Sequence, residues 1–178
     1  MGRSISLIFL LPYIFLLSVD LFGANLRANA VTQLIQKVCD YSTVQDFCYN
    51  VFANDFAQRA KTKYNIEDVA IQLAYSNYTI IHRNVWNITS NETNPEFKHI
   101  YRKCLHQYLL LKSDLENLID VLILEGNLDE AAQRATDHLN VCVGYFYQYP
   151  NIPNPFAKDN EHLAYFFELI RDIYFTPL

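Results

Sequence analysis

The side chains best suited to chemistry in this sequence are its four cysteines, Cys39, Cys48, Cys104 and Cys142. In a secreted chain an even number of cysteines indicates disulfide bonds, and four cysteines allow three pairings. The sequential pairing is favoured, because Cys39 and Cys48 lie in one predicted helical hairpin and Cys104 and Cys142 in another. The competing chemistry is a zinc site that adds His106 and His138. His106 follows Cys104 by two residues, and a helix directs such side chains apart, so no metal or other cofactor is expected.

The histidines and carboxylates do not form a pattern typical of catalysis. No two histidines lie three or four residues apart, the spacing that pairs ligands on a helix; they are His82, His99, His106, His138 and His162. An acidic run on one predicted helix, Asp114, Glu116, Asp120 and Glu125, is typical of a solvated face. A glycosidase needs two carboxylates across a cleft, and a filled helical bundle offers no cleft. The chain is therefore expected not to be an enzyme.

Composition excludes further classes of function. After residue 30 the only glycines are Gly126 and Gly144, and phosphate-binding loops and nucleophile elbows need glycine where the backbone bends sharply or approaches a ligand. The formal net charge of −5 argues against a nucleic acid as partner, because nucleic-acid binding needs a basic surface.

The N-terminal segment has the pattern of a secretory signal peptide. Arg3 precedes an apolar run from Ile5 to Val19, which is too short for a typical membrane span. Small residues follow, so residues 1–30 are assigned to the signal peptide, with cleavage between about residues 23 and 30. The alternative is a membrane anchor. We expect a secreted, extracellular protein without a membrane partner, with the vacuole as a second possible location.

Helix signals are clearest in the second half of the chain. Asn94-Pro95-Glu96 is a strong helix start, and Gly126 is the expected end of that helix. Asn127 with Glu130 predicts the cap of the next helix. Apolar residues recur at helical spacing on both helices, at Cys104, Tyr108, Leu111, Leu115, Leu118 and Leu122, and at Ala132, Ala135, Leu139, Cys142 and Phe146. A plain hairpin would leave Cys104 and Cys142 about 9 Å out of level, so either the helices are staggered or the first ends before Gly126.

Two more helices complete the expected architecture. One is capped by Asn65 and has an apolar stripe of Ile66, Ala70, Leu73, Ile80, Ile81 and Ile88. The other begins near Asp159 and carries Leu163, Phe166, Phe167, Ile170 and Tyr174. Before them, segments 31–38 and 44–52 predict a small helical hairpin. The fold class is therefore all-α, an up-and-down four-helix bundle with an N-terminal helical hairpin and two disulfides over residues 31–178.

These residues together resemble the plant invertase and pectin methylesterase inhibitor family. The matching features are Leu34-Ile35 before Cys39, then Thr43 and Asp46-Phe47-Cys48, Cys104 with Tyr108, the Gly126 turn, Ala131, Thr136 and Leu139, Cys142 with Phe146, and Asn160. The resemblance implies the same bundle and sequential disulfides. It also implies a monomer that inhibits a plant cell-wall or vacuolar carbohydrate enzyme by one-to-one occlusion of the active site.

The sequence lacks one motif that distinguishes the invertase inhibitors of this family, and this bears on which enzyme it inhibits. Invertase inhibitors of the family carry Pro-Lys-Phe near the start of the third bundle helix, and the matching stretch here is Asn127-Leu128-Asp129. Because this stretch has neither the cation nor the ring, pectin methylesterase is favoured over acid invertase. Residues Asn127, Leu128, Asp129 and Glu130 remain the candidate partner contact. A non-inhibitory helical binding module is the alternative from another class.

Two other features have open interpretations. Trp86 lies opposite the apolar stripe of its helix, so it is either a binding anchor or packs under the terminal hairpin. The aromatic and proline-rich segment 145–156 is either a recognition loop or a stiff connector.

Glycosylation sequons occur at Asn77, Asn87 and Asn91. Helical spacing places Asn77 in the middle of the apolar stripe. Glycans are therefore expected at Asn91, and at Asn87 as a second site, with little at Asn77.

Overall fold

The computed structural model describes residues 32–177, and the predicted signal peptide lies outside the described residues. This part of the chain contains six α-helices and no strand, which confirms the all-α prediction. The helices are α1 (Gln33–Tyr41), α2 (Gln45–Val51), α3 (Lys63–Asn91), α4 (Pro95–Ile123), α5 (Leu128–Gln148) and α6 (Ala157–Phe175), with a single 3₁₀ turn at Ala57–Arg59. None of the described helices is both long and apolar enough to cross a membrane.

The four long helices form an up-and-down bundle in which each packs against two neighbours. The packed pairs are α3 with α4, α4 with α5, α5 with α6, and α6 with α3. We call the lower end of the bundle the end at which α3 and α5 begin and α4 and α6 end. The opposite end is the upper end. The α1–α2 hairpin packs against α6.

Both disulfides have the sequential pairing. Cys39 is bonded to Cys48 across the α1–α2 hairpin, and Cys104 to Cys142 between α4 and α5. All four side chains are fully buried. The second bond lies within the two predicted apolar seams, every residue of which is buried on α4 and α5.

Helix α4 begins as predicted and ends earlier than predicted. The Asn94 side chain accepts hydrogen bonds from the backbone amides of Glu96 and Phe97 at 2.9 and 3.3 Å. The helix ends at Ile123, and the left-handed residue after it is Glu125, with φ of 53°, not Gly126. The Gly126 and Glu125 amides donate to the carbonyls of Val121 and Leu122 at 2.8 and 3.1 Å. This is the Schellman pattern, in which glycine usually occupies the left-handed position.

The early end of α4 accounts for part of the offset between the two cysteines. Cys104 lies 19 residues before the end of α4, and Cys142 lies 14 residues after the start of α5. Their Cα atoms are nevertheless 4.7 Å apart, so the cysteines are level. The start of α5 must therefore lie about 7 Å back along the bundle from the end of α4. The helices are staggered as well as shortened.

Helix α3 differs from its predicted register. It begins at Lys63 rather than after Asn65, because the Thr62 side chain caps it by accepting from the Asn65 amide at 3.2 Å. Its core-facing residues are Ile66, Ala70, Ala74, Tyr78, Ile81, Val85 and Thr89, whereas Ile80 is 57% exposed and Leu73 and Ile88 are half-buried. Tyr78 can lie in the core because its hydroxyl donates to the Tyr108 carbonyl at 2.8 Å. The predicted stripe was chosen by apolar character alone and therefore left out this buried tyrosine.

A buried carboxylate ties the terminal hairpin to α6. Oδ2 of Asp172 accepts hydrogen bonds from the Ser42 hydroxyl at 2.8 Å and from the Thr43 amide and hydroxyl at 2.8 and 2.9 Å. Asp172 is 8% exposed. The turn that the Cys39–Cys48 disulfide closes is thus held at a defined place on the bundle. Helix α6 itself begins at Ala157, two residues before the expected Asp159.

Candidate partner-binding surface

The predicted contact segment lies in the turn and first residues of α5, and only part of it faces solvent. Asn127 caps α5 by accepting from the Glu130 amide at 3.2 Å, and both residues are exposed. Leu128 is 2% exposed and belongs to the core. Its side chain is therefore not available to a partner unless the helix start rearranges.

Asp129 is committed to a contact within the bundle. The Arg171 guanidinium donates from Nε to Oδ1 of Asp129 at 2.6 Å and also contacts Glu168 at 3.3 Å. The hydrogen bond to Asp129 raises the pKa of Arg171, against the opposing effect of burial. This ion pair joins the start of α5 to α6 at the lower end, so it positions the turn.

The side chains that the lower end presents to solvent come from neighbouring positions. Ile123 is 61% exposed and Leu124 is 79% exposed, at the end of α4. Tyr64 in the first turn of α3 is 46% exposed, and Phe175 at the end of α6 is 53% exposed. We call these four residues the apolar tip. Apolar side chains grouped at one end of a bundle are a common feature of protein-binding surfaces.

Sequence reasoning missed the apolar tip because it followed the buried seam. Ile123 and Leu124 lie outside the series that ends at Leu122, and an amphipathic pattern assigns such residues to the solvated face. The available signal was two bulky apolar residues directly before a turn. The short turn of the Schellman pattern and the Asp129–Arg171 pair hold this surface in place.

The aromatic segment at the upper end is anchored at one side and exposed at the other. Ile152 and Phe156 are buried, and the Tyr101 hydroxyl donates to the Pro153 carbonyl at 3.1 Å, as a connector requires. Tyr147, however, is 81% exposed. Trp86 is 54% exposed on α3, so it is not packed under the terminal hairpin. Both aromatic residues stay available for binding.

Two of the polar groups that sequence analysis weighed for catalysis, His138 and Asp114, are partners of each other. His138 lies between α4 and α5, with Nε2 3.0 Å from Asp114 Oδ2 and Nδ1 2.9 Å from Gln107 Oε1. Asp114 is thus a paired group, whereas Glu116, Asp120 and Glu125 are exposed as predicted. Among residues 32–177 no three histidine, cysteine or acidic side chains form a group that could hold a metal ion.

The sequons differ in accessibility. Asn87 and Asn91 are exposed on the last turns of α3. Asn77 is half-buried, donates to the Leu73 carbonyl at 2.9 Å, and lies 3.2 Å from the His162 ring nitrogen on α6. It faces a helix contact rather than the middle of the core. The occupancy pattern stays a prediction.

The described fold is similar to that of a solved protein structure. No family model and no curated protein sequence matches the chain. Among solved structures, mutant form A of a pectin methylesterase inhibitor from Arabidopsis matches with a TM-score of 0.69 and 14% sequence identity. The match covers 82% of this chain and 99% of that chain. This chain therefore has the fold of a pectin methylesterase inhibitor.

Proposed function

We propose that this protein is a proteinaceous enzyme inhibitor that binds pectin methylesterase one-to-one and occludes its active site. The observation that carries the proposal is the match over nearly the whole length of a pectin methylesterase inhibitor. In this proposal the protein has no catalytic activity of its own, and the target enzyme does not convert it to a product.

The rigidity of the bundle supports this mode of action. The Cys104–Cys142 disulfide joins α4 to α5 in the upper half of the bundle, and the short α4–α5 turn and the Asp129–Arg171 pair fix the lower end. A surface that is ordered before binding loses little conformational entropy when it docks. The apolar tip supplies the desolvated contact that such a surface needs, and the exposed Asn127 and Glu130 lie beside it.

The choice of target rests on the start of α5. An inhibitor that inserts a cation and an aromatic ring into an active site needs both side chains free. Here Leu128 is buried and Asp129 is bonded to Arg171. This arrangement favours pectin methylesterase over acid invertase, in agreement with the missing Pro-Lys-Phe tripeptide.

The proposed location is extracellular, in the plant cell wall. Disulfides persist in oxidising compartments, and the N-terminal segment has the composition of a signal peptide. The vacuole remains the second location if acid invertase is the target.

The test is a titration of the purified protein into a pectin methylesterase and an acid invertase at mildly acidic pH, with native mass spectrometry of each mixture. We expect loss of pectin methylesterase activity that reaches its end point at one inhibitor per enzyme. Inhibition of invertase alone would reverse the choice of target. Inhibition of neither enzyme across several isoforms would favour the non-inhibitory binding module.

The contact surface is tested by placing a charge on the apolar tip. Leu124→Glu is expected to weaken inhibition at least tenfold, because a charge in a desolvated contact costs more than about 1.4 kcal/mol. Leu109→Glu is the matched control, since Leu109 is 53% exposed on the outer face of α4 away from the tip. Equal inhibition by both variants and the parent protein would exclude the tip. A further variant, Trp86→Glu, would then test the α3 face.

A further inference from the structure

A pocket of about 290 Å³ opens at the lower end of the bundle, beside the turn between α4 and α5. Its apolar wall is formed by Val121, Leu122 and Leu128. Tyr64 of α3 and Tyr174 of α6 contribute aromatic rings, and Glu67 of α3 contributes the most buried charged group. The volume is at the lower limit of small-molecule sites and suits a ligand of about ten non-hydrogen atoms.

Glu67 is unusual because nothing in the described chain pairs with it. The residue is 7% exposed and lines the pocket. Among residues 32–177 its carboxylate makes no hydrogen bond and no ion pair within 4.0 Å. Its oxygens are not fully enclosed, so water reaches them, but a carboxylate that is largely removed from water and has no partner is costly. Burial accordingly raises the pKa of Glu67, partly opposed by the charge of Lys63.

Lys63, the nearest cation, is engaged elsewhere. Its ammonium group donates to the carbonyls of Tyr174 and Thr176, which lie at the end of α6, the latter at 3.2 Å. It also lies 5.6 Å from the centre of the Tyr174 ring. Lys63 therefore closes the end of α6 and makes no ion pair with Glu67. It also lines the pocket, so its charge opposes an incoming cation, but Glu67 and Glu125 together leave the lining with a net negative charge.

We propose that this pocket binds a small organic amine, whose ammonium group pairs with Glu67 and whose apolar body packs against Val121, Leu122 and Leu128. The Tyr64 ring suits such a ligand, because the face of an aromatic ring attracts a cation, whereas the Tyr174 ring already has Lys63 beside it. Glu125, at the rim of the pocket, adds a second negative charge. This site does not depend on the proposed inhibitory function.

The experiment is a calorimetric titration of the full secreted protein with 2-phenylethylamine at pH 7, with 2-phenylethanol as the uncharged analogue. We expect saturable one-site binding of the amine and at least tenfold weaker binding of the alcohol. Glu67→Gln should weaken amine binding at least tenfold. Glu96→Gln should leave it unchanged, because Glu96 is an exposed carboxylate at the upper end.

Three results would each overturn the proposal: no saturable binding of the amine, equal binding of the alcohol, or unchanged binding by Glu67→Gln. Thermal unfolding checks that this variant is folded. If it is not, the parent protein supplies the same test through pH. Binding should then weaken as the pH falls and the Glu67 carboxylate takes up a proton. Amine affinity that does not change with pH would refute the role of Glu67.

Discussion

The left-handed conformation of Glu125 leads to a direct test of the turn at the lower end. Glu125→Gly is expected to raise the free energy of unfolding by about 1 kcal/mol. A side chain at φ of 53° costs about 1–2 kcal/mol, and a negative charge after a helix C-terminus costs about 0.3–1 kcal/mol. The greater entropy of glycine in the unfolded chain offsets about 0.5–1 kcal/mol of this gain.

Urea unfolding of the disulfide-intact protein, followed by circular dichroism, measures the change. A gain of 1 kcal/mol moves the midpoint by about 0.4 M for an m-value between 2 and 3 kcal/mol/M. Glu125→Gln is the control for charge, since it keeps the strained conformation and should give only the gain that comes from the charge, about 0.3–1 kcal/mol.

Gly126→Ala tests the other residue of this turn, the glycine at which the sequence alone predicts the end of α4. Gly126 does not have a positive φ, and an added Cβ would lie 3.1 Å from Val121 Cγ1 and 3.4 Å from the Val121 carbonyl oxygen. We expect a loss of about 1 kcal/mol from this crowding. If Glu125→Gly were neutral or destabilising, the placement of the left-handed residue at position 125 would be refuted.

Three further predictions concern stability and modification. Asp172→Ala should lower the free energy of unfolding by about 2 kcal/mol in urea titrations, because the buried Ser42 hydroxyl and two part-buried donors of Thr43 lose their acceptor. Burial, with a smaller effect of Lys112, lowers the pKa of His82, so the folded state binds fewer protons than the unfolded state. Stability should therefore fall as the pH decreases below about 6.5, and His82→Phe, compared by urea unfolding at pH 7.5 and 5.0, should show a smaller fall. Mass spectrometry of the protein expressed through the secretory pathway of a plant host should find glycan at Asn91, variably at Asn87 and hardly at Asn77, and full occupancy at Asn77 would contradict its contact with α6.

Local signals in the sequence predicted the features that neighbouring residues decide. The cap at Asn94, the proline after it and the seam from Cys104 to Leu122 are all present in α4. A cap depends on a side chain and amides two or three residues away, and a seam on spacing along one helix. The Cys104–Cys142 pairing followed from the same reasoning, because both cysteines lie on predicted inward-facing seams, and the Cys39–Cys48 pairing followed from their place in one predicted hairpin.

Tertiary contacts decided which residues are buried where burial does not follow apolar character. Tyr78 lies in the core and Ile80 in solvent because the Tyr108 carbonyl, on another helix, accepts the Tyr78 hydroxyl. Thr62 replaced Asn65 as the cap of α3, and Glu125 took the conformation expected near Gly126. In that turn glycine is needed at position 126 for space rather than for its conformation, because a Cβ there would crowd Val121.

The candidate binding surface belongs almost entirely to the tertiary structure. The sequence by itself established a disulfide-bonded helical bundle without a catalytic pattern, and it directed attention to residues 127–130. Only the packed bundle shows that Leu128 is buried, that Asp129 is bonded to Arg171, and that exposed apolar residues of α3, α4 and α6 lie at the same end of the bundle. The unpaired carboxylate of Glu67 is also visible only there. Burial and pairing depend on what the neighbouring helices bring to a position, and the spacing of residues within one helix does not contain that information.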